Sequence, residues 1–175
     1  GLFYLKPSSV TNTISRLVLE SGATIKGITV RSNANADHAP IHIQKAARLV
    51  MNPGSSILDC HNESYHGNGG AICCDSGNIV INGGVIAGCS AKGSGGAIRC
   101  TGTRDAAEDH IGLAMRGDIL LYGGYITNNV CGTGVTTANS EECYGGGIYL
   151  GETGPMLHVI GPVVVSNNVC KVYDS

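Results

Sequence analysis

The chain has no Trp and only one Phe, so aromatic rings cannot fill its interior. Charged residues make up 14% and the net charge is −2, which leaves no basic face for nucleic acid or an anionic membrane. No apolar run approaches the ~18 residues a spanning helix needs. No Cys-x-x-Cys, Walker loop, Gly-x-Ser-x-Gly or His-Glu-x-x-His occurs, so the common redox, nucleotide, serine-nucleophile and zincin motifs are missing. The sequence begins at Gly1 without Met or signal peptide and reads as a processed or excised piece.

What is present is glycine: 27 of 175 residues, without a Gly-X-Y period. That content opposes helix at ~1 kcal/mol per residue and excludes a helical bundle. The hydrophobic fraction is 42%, so a core exists, built from Val, Ile, Leu, Ala and Cys. Length suits one domain spanning residues 1–175.

The glycines recur in words. Gly69-Gly70-Ala71-Ile72 returns as Gly95-Gly96-Ala97-Ile98 and as Gly145-Gly146-Gly147-Ile148. Before each stands a short alternating segment, a turn and another short segment: NIVINGGVIAGC at 78–89, DILLYGGYITNNVC at 118–131. The copies start at Leu17, Leu49, Ile79, Ile119 and Leu157, in steps of 32, 30, 40 and 38 residues. The length differences fall in polar segments near 31–38, 61–68, 101–117 and 132–144, read as insertions at one corner; 105–116 is a candidate short helix. Residues 1–15 read as a preceding third strand with its lead-in, and 16–170 as repeat coils.

A unit this short cannot bury its own inward side chains and must stack on a neighbour ~4.8 Å away. Like residues then form ladders. Leu17, Leu49, Ile79 and Ile119 make one; Ile25, Ile57, Ile86 and Ile126 a second; Ile41, Ile72, Ile98 and Ile148 a third. Three ladders predict an all-β, right-handed parallel β-helix (a β-solenoid) of about five coils with three short strands each. A Gly-rich antiparallel sandwich would not repeat three words in fixed order.

Stacking also pairs cysteines. Cys60 with Cys89, Cys74 with Cys100, and Cys131 with Cys170 occupy equal slots, within reach of three disulfides. An unbonded ladder of buried thiols is the alternative. Eight Cys in a chain of this size point to an oxidising, extracellular or cell-surface setting. Cys60, His61, His66, Cys73 and Cys74 mix zinc-type ligands within fifteen residues but lack finger spacing. No metal, cofactor or catalytic residue is therefore expected.

The words GGAI and GGGIY, preceded by GGVIAGCSA and GGYITNNVC, resemble the repeats of bacterial surface and adhesin-type right-handed parallel β-helix proteins of pectin-lyase-like fold. The GGAI words are similar to those of polymorphic outer-membrane repeat proteins. The resemblance implies an exported, non-enzymatic adhesin, passenger or wall-attached stalk, with host or surface glycans as a partner class. Carbohydrate-active enzymes share this fold, and that alternative would draw on Asp105, Glu108, Asp109, Glu141 and Glu142. All five sit in variable segments, and the polygalacturonase Asp-Asp and Gly-His-Gly words are missing.

The first residues, Gly1-Leu2-Phe3-Tyr4-Leu5, repeat the word that ends Ile148-Tyr149-Leu150, while the last coil ends near Val169 and Cys170. Head-to-tail self-association through these residues would make a filament subunit. A cut from a longer β-helix is the competing expectation.

Overall fold

The computed structural model describes residues 2–6, 14–32, 39–102, 117–134, 143–151 and 154–171. The expected helix at 105–116, the carboxylates Asp105, Glu108, Asp109, Glu141 and Glu142, and Gly1 lie outside the described residues.

The described strands form five coils. The first contains β1 (Phe3–Leu5), β2 (Ser15–Leu19), β3 (Thr24–Lys26) and β4 (Thr29–Val30). The second contains β5 (Ile41–Ile43), β6 (Ala47–Met51), β7 (Ser56–Leu58) and β8 (His61–Asn62). β9 (Ile72–Asp75), β10 (Asn78–Ile81), β11 (Val85–Ala87) and β12 (Ser90–Ala91) follow, then β13 (Ile98–Thr101), β14 (Ile119–Leu121), β15 (Gly124–Thr127) and β16 (Val130–Cys131). The fifth coil is β17 (Ile148–Leu150), β18 (Leu157–Val159), β19 (Val163–Ser166) and β20 (Val169–Cys170). Corresponding strands stack into four parallel five-stranded sheets, ordered β1-β5-β9-β13-β17 and likewise for the other three. This is a parallel β-helix.

All three expected ladders are present in register. Leu17, Leu49, Ile79, Ile119 and Leu157 align in the second sheet, and Ile25, Ile57, Ile86, Ile126 and Val165 in the third. Phe3, Ile41, Ile72, Ile98 and Ile148 align in the first. The middle members are fully buried, each contributing roughly 1.5–3 kcal/mol of burial.

The coil has four strands, not three. The extra one (β4, β8, β12, β16, β20) is two residues long, too short to show alternation. A left-handed residue turns the chain into it in every coil: Gly27, Asp59, Gly88, Asn128 and Asn167 all have φ between 51° and 69°. His61–Asn62 is therefore strand rather than the start of an insertion. The long connections also fall at two corners instead of one. Those at 31–38 and 132–144 precede the first sheet, whereas the segment between β13 and β14 follows it.

The two glycines of each GGxI word have different physical reasons. The first, at Gly69, Gly95 and Gly145, has φ near +70°. The second, at Gly70 and Gly96, lies against the coil beneath: a Cβ would come 2.0 Å from Gly96 O or Gly146 O.

Candidate functional site

Two places gather residues that sequence reasoning singled out, the corner and strand positions where cysteines stack and the last coil; a third place lies on the outer face of the first sheet.

Cys60 and Cys89 occupy the corner slot just after the left-handed residue, facing the core. Asn129 and Asn168 hold the same slot one and two coils further on. There Asn129 Nδ2 donates to Asn168 Oδ1 at 2.9 Å, and Asn129 Oδ1 accepts from Cys89 N–H at 2.9 Å. The hydrogen bond with Cys89 lowers the Cys60 thiol to about 7 and, with burial, raises Cys89 in turn. Cys74 and Cys100 are direct register partners within the core, and burial followed by this contact pushes Cys74 well up. Cys131 and Cys170 are register partners in the fourth sheet, with sulfurs 2.8 Å apart. Cys170 Sγ also donates to Cys143 O at 2.7 Å.

All eight cysteines are thiols in the structure. The thiolate is the attacking species in disulfide formation; burial opposes linkage at Cys74 and at Cys131 alike, but at Cys131 the 2.8 Å separation from the Cys170 sulfur favours it. Protein from an oxidising compartment, mapped by non-reducing mass spectrometry, is expected to show Cys131 linked to Cys170. A link between non-adjacent coils would break the coil register, and a complete set of thiols would support the buried ladder and undercut export.

Asn62-Glu63-Ser64 has the Asn-x-Ser form of an N-glycosylation acceptor, and the fold closes it. Asn62 is buried and its amide donates to Asn68 O at 2.9 Å.

The two ends of the helix differ. In the first coil, the inward Leu5, Leu19 and Ile25 are buried. In the last coil, Leu157 is 38% exposed, Val159 61% and Val165 52%, in the positions that are fully buried in the middle coils. Val169 continues the outward row of His61, Ser90 and Val130 and is exposed, and Cys170 is half-buried. Of the residues expected at the opposite end, Leu2 and Tyr4 are exposed, while Phe3 is half-buried and Leu5 buried.

The third place was not visible from chain neighbours. Period-2 alternation sends Cys73 outward and Cys74 inward, so the zinc-type residues Cys60, His61, His66, Cys73 and Cys74 are not brought into one group. His61 Nδ1 instead pairs with Ser90 Oγ at 2.8 Å on the fourth sheet. Cys73 lies between His42 and Arg99 in register, flanked by Tyr4 and Tyr149 along the same outward row. His42 Nε2 is 2.8 Å from Asp75 Oδ2, and the Tyr4 ring meets the imidazole edge-on with centroids 5.1 Å apart. Thr101 Oγ1 donates to Asp75 Oδ1 at 2.8 Å. Arg99 approaches both Asp75 Oδ1 and Cys73 Sγ at 3.5 Å. Burial pushes the Asp75 carboxyl up, but the hydrogen bonds from His42 and Thr101 and the charges of His42 and Arg99 outweigh it. The carboxyl is held below its ordinary value.

No family model, curated protein or solved structure matches this chain. Among the described residues, no helix is long and apolar enough to cross a membrane.

Proposed function

We propose that the protein is a non-enzymatic structural β-solenoid of an extracellular or cell-surface assembly, extended by end-to-end stacking of copies. The observation that carries this reading is the exposed apolar row of the last coil: Leu157, Val159 and Val165. Contiguous exposed apolar surface of this kind marks an association site. Its shape is that of one more coil, since each residue continues a ladder buried throughout the middle coils.

A second copy offers the complementary start. Phe3 and Leu5 belong to the same inward row as Ile148 and Leu150, with Tyr4 and Tyr149 sharing the outward row. β1 of one copy would follow β20 of another and pair with β17, by strand addition. A head-to-tail contact that does not close gives a filament. The adhesin-stalk form of the same reading uses the repeated wall as a spacer and leaves glycan contact to its outer face. The three stacked cysteine pairs support an oxidising setting for either form.

Sedimentation and negative-stain microscopy test the assembly. Wild-type protein is expected to form end-to-end particles that lengthen with concentration. The double variant Val159→Asp, Val165→Lys is expected to remain folded and monomeric, because both side chains are already half in water. Deletion of residues 1–5 is expected to do the same from the other end. A wild-type chain that stays monomeric at high concentration in oxidising buffer would overturn stacking between copies.

A further inference from the structure

The stacking reading makes no use of the groups on the outer face of the first sheet. His42 Nε2 lies 2.8 Å from Asp75 Oδ2, its N–H donating to the carboxylate oxygen. In the neutral ring, the form that ligates metal, this leaves the lone pair on Nδ1. Nδ1 is buried and has no hydrogen-bond partner, in a side chain only 10% exposed. A buried acceptor without a donor bears the full loss of its hydration. The protein therefore carries an unfilled electron-pair donor inside its wall.

A soft ligand stands beside the ring. A His42 ring nitrogen, Cys73 Sγ and an Asp75 carboxylate oxygen all lie within 4.8 Å of one another. Bonds of about 2.0–2.3 Å to a tetrahedral zinc place ligand atoms about 3.3–3.7 Å apart. Side-chain adjustment of about 1 Å brings such atoms to that spacing. Arg99 Nη1 lies 3.5 Å from the sulfur.

We propose that His42, Cys73 and Asp75 form a site for one zinc-class divalent cation. Cys73 Sγ and His42 Nδ1 are its ligands, and Asp75 holds the imidazole through Nε2. A carboxylate on the far nitrogen fixes the tautomer and ring orientation of a ligating His. Thr101, donating to the other carboxylate oxygen, steadies that carboxylate in turn. On binding, the Cys73 thiol gives its proton to solvent, His42 contributes a lone pair already present, and water fills the remaining positions. The mixed nitrogen and sulfur set suits zinc or cobalt over calcium or magnesium.

Cobalt(II) is the probe, because a bound thiolate gives it a near-ultraviolet charge-transfer absorption. Titration of the reduced full chain near neutral pH is expected to show this band saturating at one equivalent. The band should vanish in Cys73→Ser and His42→Gln. In Asp75→Asn it should persist with affinity weakened about 10–100-fold. It should be unchanged in Cys143→Ser combined with Cys170→Ser. Zinc is expected to displace the cobalt and to raise the melting temperature of wild type but not of His42→Gln. Should Cys73→Ser fail to fold, His42→Gln decides by the same band. Absence of the band in wild type at millimolar cobalt overturns the site, as does a band that survives loss of His42 or Cys73.

Discussion

Gly96→Ala is expected to cost more than ~4 kcal/mol, at the extreme of single-substitution effects, while Gly27→Ala costs only ~1–2 kcal/mol. The two glycines separate steric from conformational necessity. A Cβ at Gly27 meets nothing within 4 Å, but the backbone there has φ +69°, so only left-handed strain opposes it. Gly96 carries no such φ, yet its Cβ would lie 2.0 Å from Gly146 O and 2.7 Å from Val130 C and N. All of these are backbone atoms that no rotamer can move. Relief would require opening the coil spacing, and that spacing is held by Gly95 N–H to Tyr144 O, Gly96 N–H to Gly145 O and Ala97 N–H to Gly147 O, at 2.9–3.0 Å. Each such bond is worth ~1 kcal/mol net, and the ladders beside them separate too. Urea denaturation of the two variants measures the difference. Equal losses would mean that the second glycine of the GGxI word is not a contact point between coils.

The ladders were legible because burial repeats the same residue type at the same place in every coil. Ile72, Ile98 and Ile148 announce their alignment by the glycines before them. The fourth sheet was not legible, since its strands have two residues and its slots change chemistry. Ile28, Cys60, Cys89, Asn129 and Asn168 share one corner position without sharing polarity. The left-handed slot before it did carry a signal, because Gly, Asp and Asn are the residues that tolerate positive φ. The His42–Cys73–Asp75 cluster was missed because neighbours in sequence were weighed instead of neighbours in register. One step past the third ladder lies the row His42, Cys73, Arg99, so the aligned isoleucines already contained it. The asymmetry between the ends has no such signature. Leu19 and Val159 are both aliphatic inward residues, and what lies over each coil decides their exposure.

Ile98→Asp is expected to leave no folded population at neutral pH. Ile98 is fully buried in the first-sheet ladder, between Ile72 on one side and Ile148 on the other. Truncating such a residue to Ala costs ~2–5 kcal/mol, and an uncompensated buried charge adds several more. Together they rival the ~5–15 kcal/mol total stability of a domain. The Asp cannot escape by turning outward, because a strand's outward positions belong to its neighbours, here Arg99. It can neutralise by taking a proton, so mild acid should restore part of the folded signal, whereas Ile98→Val should lose only ~0.5–1.5 kcal/mol. Lys26→Ala supplies the surface reference. Its side chain is 63% exposed and reaches Asp59 at 3.6 Å across water-facing surface, which predicts a change below ~0.5 kcal/mol. Circular dichroism melts of the three variants decide the matter. If Ile98→Asp melts with Lys26→Ala, Ile98 does not point into the core, and the face assigned to the whole Ile41–Ile72–Ile98–Ile148 row is reversed.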